Sequence, residues 1–528
     1  MTPRKLAFIA LIVAALIPSA MLAWQWRSMP QAAVFHDDSI YLVTAKSLAV
    51  GDGYRIASFP STPAQTKYPP LFAAVLSIAW RISPDLPSVL TAVAFLVWAM
   101  LPLMVAACWF LYRYHGITEW EAALLCVWIA ANPVAVMFGL LVMSELIFTA
   151  LIVLAVLFAD KALAQGPKTA FYAGLIGGAA FLTRSAAVPL LITAPAVFLW
   201  KKQPRSAAWF VAGMLPCVAG WQLWSSMNRI AGDDMVTSFY TNYIGYYLAD
   251  IAGSDLGAMM WGNFSAIVKA VGELVVFDDS ITFGTLTLSR LTTAAAVAGS
   301  LRLVGNGRFQ HFAAFAIVYL LQFVAWDFPP NYRFVLPLLP LIAVAVLTEF
   351  SHLLEIVSKA WRKGTGDKAV ACVAGILIAA WLGYMVNHIG FGLMTFVPSV
   401  MTAHAQIREG QRSAVKWIAE NTPADARILS YRDPMLFLET RRQGVSLRNP
   451  PNVFKNSDGQ EYFQKEVLEQ VSRFGITYVL NSATDFHMDA PERMRPAMSK
   501  VLSDASRFKP VFKGDGASVY QVVRAGGG

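Results

Sequence analysis

The sequence predicts an α-helical polytopic membrane protein that ends in a small α/β domain, and three observations predict it. The chain of 528 residues is 56% hydrophobic and only 14% charged, with a mean hydropathy of +0.51, far more apolar residue than one soluble core absorbs. The apolar residues gather into runs of membrane-spanning length, and the Lys and Arg residues gather in the short loops between them. After about Met401 the composition turns charged and polar.

The runs fall near 6–24, 87–111, 119–138, 145–163, 169–186, 187–200, 206–225, 283–302, 309–327, 334–353 and 369–390, about eleven transmembrane helices at 1.5 Å per residue. The first follows Arg4 and Lys5 and is longer than a signal-peptide core, which predicts an uncleaved helix with a cytoplasmic N-terminus. The run from Pro69 stops at Arg81, too short to cross, and reads as a juxtamembrane helix. With that run left uncounted, every basic loop falls inside: Arg113 and His115; Lys161 and Lys168; Lys201, Lys202 and Arg205; Arg302 and Arg308; Lys359, Arg362, Lys363 and Lys368. The net charge of +9 is thereby a topology signal and not a nucleic-acid footprint. The loops 25–86 and 226–282, the turns near Ser144 and at 328–333, and everything after about 391 then lie outside. Cys108, Cys126, Cys217 and Cys372 all sit in apolar runs, without CxxC or Cys/His metal spacing.

These boundaries give a membrane domain over 1–395 and a soluble extracytoplasmic α/β domain over 396–528. In the latter, periodicity predicts helices at 403–420, 434–441, 458–474 and 491–503, strands at 426–431 and 477–481, and a closing hairpin across VFKGDGASVYQVV.

The stretch HDDSIYLVTAKSLAVGDGY, His36 to Tyr54, sets two carboxylates ahead of a helix expected over Ser39–Val50 and stopped by Gly51 and Gly53. Asp37 or Asp38 suits the N-cap, and the remaining carboxylate is free to act as a general base toward a hydroxyl or amine. In KYPPL, Lys67 to Leu71, the prolines suit a first helical turn and Lys67 the positive helix end, where it either snorkels to headgroups or meets a phosphate. Glu145, Arg184, Asp327 and Arg333 share the predicted outer side, each also suited to interfacial anchoring. A face that mixes carboxylates with cations suits transfer from an anionic lipid, with a base for the acceptor and positive charge for the departing phosphate. The aromatic run SFYTNYIGYY, Ser238 to Tyr247, reads as an interfacial belt or as stacking surface for a sugar, and Asp278-Asp279 as a capping or solvated pair.

The acidic pair, KYPPL, SELIF, LTR and RFVLPLLP, in that order, resemble the C-type glycosyltransferase superfamily (GT-C fold), in the branch of the protein O-mannosyltransferases and the lipid A aminoarabinose transferase. The resemblance runs from Met1 to about Glu355 and implies an inverting glycosyltransferase of the bacterial inner membrane. Its donor would be a polyprenyl-phosphate-linked sugar and its acceptor a lipid, glycan or protein, with no nucleic-acid partner. It implies Asp37 as catalytic base with Asp38 in support, the family pair usually being Asp-Glu, and Lys67 at the donor phosphate, with Glu145 and Arg184 at recurrent positions; in the mechanism expected from these residues, Arg184 or Arg333 joins Lys67 as donor-phosphate ligand. Glu145, Tyr54, Tyr68 and Asp327 fall to supporting or acceptor-side roles. Asp37, Asp38 and Glu145 are oxygen ligands suited to a divalent Mg or Mn ion that could assist the reaction, and the residues specify no other cofactor. The competing expectation is a multi-spanning lipid or polysaccharide transporter or flippase with an external accessory domain.

Overall fold

The computed structural model describes residues 3–230, 234–251, 255–276, 283–326, 328–363, 365–447, 459–487 and 491–523. The chain is mostly helical, with one small sheet near its C-terminus. All eleven apolar runs are helical: Pro3–Gln25, Leu86–Tyr114, Glu119–Ala130 with Pro133–Phe138, Glu145–Gln165, Pro167–Thr183, Leu190–Trp200, Pro204–Asn228, Phe283–Gly305, Gln310–Val324, Leu339–Lys363 and Thr365–Phe391. Among the described residues six stretches have both the length and the apolarity to cross a membrane: Lys5–Gln25, Leu86–Tyr114, Glu145–Gln165, Pro204–Asn228, Tyr332–Arg362 and Lys368–Asn421. Ser185–Trp200 and Gln310–Val324 are shorter apolar helices.

The run at 119–138 is broken, because Asn132 precedes Pro133 and a residue before proline is pushed out of the helical region. The break is capped: the Asn132 side chain accepts from Val134 and Ala135 N–H at 3.1 Å each and donates to Leu274 O at 2.6 Å.

The residues divide into two compact units. The first comprises residues to Gln25, Phe95–Trp221 and Asp255–Ser399. Small residues let its helices approach closely: a Cβ on Gly299 would stand 1.9 Å from Ala345 O, and one on Gly174 2.1 Å from Phe210 O.

The second unit comprises Trp26–Ala94, Gln222–Ser254 and Val400–Gly528. The chain passes into its last segment at Ser399–Val400, and two earlier stretches of chain belong with that segment. Its sheet runs in the order β2-β1-β3-β5-β4, with β1 Ile428–Leu429, β2 Gly444–Val445, β3 Tyr478–Ser482, β4 Phe508–Lys513 and β5 Ala517–Val522. β1 is parallel to β2 and β3, and β5 is antiparallel to β3 and β4. β2 had no alternating pattern to announce it. The helix expected over 403–420 is two, Val397–Glu409 and Arg412–Asn421, divided at Gly410. One of its hydrophobic clusters joins Ile40, Ile56, Phe59, Phe239 and Tyr240 to Leu429, Tyr431, Val479 and Phe508. Backbone pairing adds to it, with Gly444 N–H donating to Ser58 O at 2.9 Å.

Candidate active site

The acidic pair opens the helix His36–Val50, three residues earlier than expected, and Gly51 at φ +91° closes it with its N–H on Ser47 O. Neither aspartate is the N-cap: that residue is Phe35, which caps with no side chain. Asp38, in the first turn, reaches back. Its Oδ2 accepts from Ala33 N–H at 2.7 Å, and its Oδ1 from Ser39 N–H at 2.6 Å and the Ser39 hydroxyl at 3.0 Å. It is 1% exposed, and burial pushes its carboxyl up from 3.8 to about 7, against the pull of those hydrogen bonds. Asp38 thus serves the local backbone. Asp37 is less buried and takes a different partner, the Tyr68 hydroxyl, which donates to its Oδ1.

Tyr68 belongs to KYPPL, whose prolines lie just before the helix Leu71–Ile82, with Pro70 as its N-cap. Lys67 therefore precedes the helix by a short loop. That loop is tightly held: Gln65 Oε1 accepts from Lys67 N–H at 2.8 Å, Trp224 Nε1 donates to Gln65 O at 2.9 Å, and Thr66 Oγ1 donates to Thr241 O at 2.7 Å. The Tyr54 hydroxyl donates to Tyr68 O at 2.9 Å. The Tyr41 ring packs on Tyr68 and Phe72 at 5.0 and 4.8 Å between centroids. The Lys67 ammonium stands 5.2 Å from the Tyr68 ring centroid and 3.7 Å from that of Phe239. One tyrosine side chain thus spans Asp37 and Lys67. The arrangement sets a carboxylate that can take a proton near a cation that can meet an anion.

Phe239, Tyr240 and Tyr246 are 9, 2 and 7% exposed. They form part of the second unit's core and not an interfacial belt, because Val236, Ile56, Phe59 and the sheet cover them. Tyr240 also makes a contact that no spacing announced, to His36 and to Asp433.

In the first unit, Glu145 begins the helix Glu145–Gln165 and is 1% exposed. Two guanidiniums share its Oε1, Arg184 from the end of Pro167–Thr183 at 2.7 Å and Arg333 through Nε. Arg184 also donates to Ser144 Oγ at 3.2 Å, and Asn331 Oδ1 accepts from Arg333 N–H at 3.0 Å. Two guanidiniums thus converge on one buried carboxylate. Among the described residues no group of three His, Cys, Asp or Glu side chains has a metal-binding arrangement. Asp38's oxygens are already taken up by its neighbours. Asp327 and Asp278-Asp279 lie outside the described residues.

No protein-family model matches the chain, and no curated protein does. Solved structures do. ArnT from Cupriavidus metallidurans, bound to undecaprenyl phosphate, aligns with a TM-score of 0.57 at 12% identity, over 98% of each chain. The archaeal oligosaccharyltransferase AglB from Archaeoglobus fulgidus, in complex with an inhibitory peptide and a dolichol-phosphate, aligns with 0.54 at 13% identity, over 99% of this chain and 75% of that one. An Archaeoglobus fulgidus oligosaccharyltransferase tethered to an acceptor peptide aligns with a TM-score of 0.52 at 13% identity, over 98% of this chain and 74% of that one. The fold is therefore the GT-C fold of these membrane transferases, and this is a multi-pass membrane chain with that architecture.

Proposed function

We propose that this chain is an inverting glycosyltransferase that moves a sugar from a polyprenyl-phosphate donor to an acceptor at the external membrane face, with Asp37 as general base. The observation that carries the proposal is the Tyr68 bridge, which sets Asp37 beside Lys67 on a fold shared with ArnT and AglB. Those two proteins were solved with undecaprenyl phosphate and dolichol-phosphate, the lipid class that an aromatic-lined lysine with a nearby base would serve.

In the proposed step the acceptor hydroxyl gives its proton to Asp37, and its oxygen forms a bond to the anomeric carbon from the side opposite the phosphate. The bond from that carbon to the phosphate oxygen breaks, and the electron pair leaves with the polyprenyl phosphate. One displacement inverts the centre. The Lys67 ammonium stabilises the negative charge as it gathers on the leaving oxygen, an effect stronger in the transition state than in the bound donor. Tyr68 orients the Asp37 carboxylate, and Tyr54 orients Tyr68 through its carbonyl. Asp38 supports the same turn. Arg184 and Arg333, held by Glu145, are a second phosphate-binding group.

The test is transfer of a labelled sugar from undecaprenyl phosphate in proteoliposomes. Asp37→Asn keeps an oxygen for the Tyr68 hydroxyl, so it should fold normally and lose about 10²- to 10⁴-fold in turnover. Wild-type turnover by Asp37→Asn would remove Asp37 as the base.

A further inference from the structure

Asp433, far along the chain, takes part in a buried line of polar contacts that the proposed reaction leaves unused. Its Oδ1 accepts from the Tyr240 hydroxyl at 2.7 Å, and that hydroxyl lies 3.1 Å from Nε2 of His36. His36 Nε2 is itself 3.6 Å from Asp433 Oδ1. Asp433, Tyr240 and His36 are 1, 2 and 6% exposed. Polar groups buried this deeply are costly unless paired, and their pairing is directional where apolar packing is not.

What this line touches gives it meaning. His36 is bonded to Asp37 in sequence. Phe239 precedes Tyr240, carries the Lys67 ammonium 3.7 Å from its centroid, and meets the His36 ring edge-on at 5.1 Å. The Tyr240 ring packs on Phe59 at 4.8 Å and on Phe239 at 5.4 Å. The hydrogen bond to Asp433 anchors residues 239–240, and those residues touch His36, the chain neighbour of Asp37, and Lys67. We propose that Asp433, acting through Tyr240 and His36, is a positioning residue that holds Asp37 in register with Lys67, so that the C-terminal segment is part of the transfer apparatus. This rests on the roles given to Asp37 and Lys67 above. A general base must sit within hydrogen-bond reach of its proton, whereas a lysine on a flexible stem tolerates a small shift. Loss of the bond should therefore reduce turnover more than phosphate binding, since a misplacement of about 1 Å costs on the order of 100-fold.

The experiment uses the full chain in nanodiscs and compares Tyr240→Phe, Asp433→Ala and Asp433→Asn. It measures kcat for sugar transfer, Kd for undecaprenyl phosphate alone, and deuterium uptake across residues 33–42. Tyr240→Phe and Asp433→Ala should each lower kcat by about 10- to 100-fold with Kd within about twofold, and speed exchange. Asp433→Asn, which keeps an oxygen for the tyrosine, should restore most of both. The double variant Tyr240→Phe/Asp433→Ala should be no worse than either single change. If the wild type transfers sugar and both disruptive variants match it in kcat and exchange, the positioning role is overturned and the transferase reading stands. If the wild type transfers none while exchange still follows Tyr240 and Asp433, the transferase reading falls and only the local hold survives. An equal fall of kcat, binding and thermal stability in all three variants, Asp433→Asn included, would mark a merely structural contact and overturn the proposal.

Discussion

Replacing Asp38 by Ala should destabilise the start of its helix strongly at pH 5 and much less at pH 8. The change leaves the buried N–H groups of Ala33 and Ser39 without their acceptor, at about 1–3 kcal/mol each, or about 2–6 kcal/mol together. Against this stands the cost of the carboxylate itself, whose pKa burial raises from 3.8 to about 7. A carboxyl raised on folding binds more protons folded than unfolded between those two values, so its contribution is most favourable when protonated and is lost as pH rises. Integrating from pH 5 to pH 8, the wild type loses about 3 kcal/mol relative to a chain that lacks the group. The cost of Asp38→Ala should therefore shrink by about 3 kcal/mol over that interval. Deuterium uptake of residues 31–42 at the two pH values, corrected for intrinsic exchange, reports the opening free energy of each protein. A cost that stays flat, or grows toward pH 8, would refute the assignment of Asp38 as a buried structural carboxylate.

Lys67→Met should weaken undecaprenyl phosphate binding by about tenfold or more and reduce its salt dependence, measured by titration in detergent. Unchanged binding would move the phosphate away from Lys67. Arg184→Ala and Arg333→Ala should each lower thermal stability by about 1–3 kcal/mol, because the other guanidinium still faces Glu145. Removing both should cost more than the sum, and adding Glu145→Gln should recover part of it, since the buried charge left unpaired is then gone. Gly299→Ala should lower the melting temperature of the detergent-solubilised chain, because its Cβ would stand 1.9 Å from Ala345 O and overpacking costs about 1–3 kcal/mol. A neutral outcome there would mean the two helices separate at little cost.

Much of the fold was legible because membrane burial is a one-dimensional signal. A run such as 145–163 must be helical to satisfy its own backbone in lipid, whatever it packs against, and Glu145–Gln165 follows directly. Where a boundary failed, the cause was local and also present in the chain: Asn132-Pro133 breaks 119–138, and Gly410 divides 403–420. β2, of two residues, carried no period long enough to recognise.

The candidate site was legible only in part. Asp37 and Lys67 stood out because a motif set them close in sequence, and Glu145, Arg184 and Arg333 because charge is scarce among apolar helices. His36, Tyr240 and Asp433 did not stand out. A histidine beside two aspartates, a tyrosine in an aromatic run and an aspartate ahead of a helix each have an ordinary explanation when read alone.

By itself the sequence determined the helices, the apolar periodicity that makes them, and the residue types available for acid, base and phosphate chemistry. Only the tertiary structure decided which of two adjacent aspartates is spent on its own backbone and which meets Tyr68. Only it brought Asp433 to Tyr240 across 193 residues. The physical reason is that helix formation and lipid burial depend on neighbours within a few turns, whereas the pairing of a buried polar group depends on whichever distant segment the closed core carries to it.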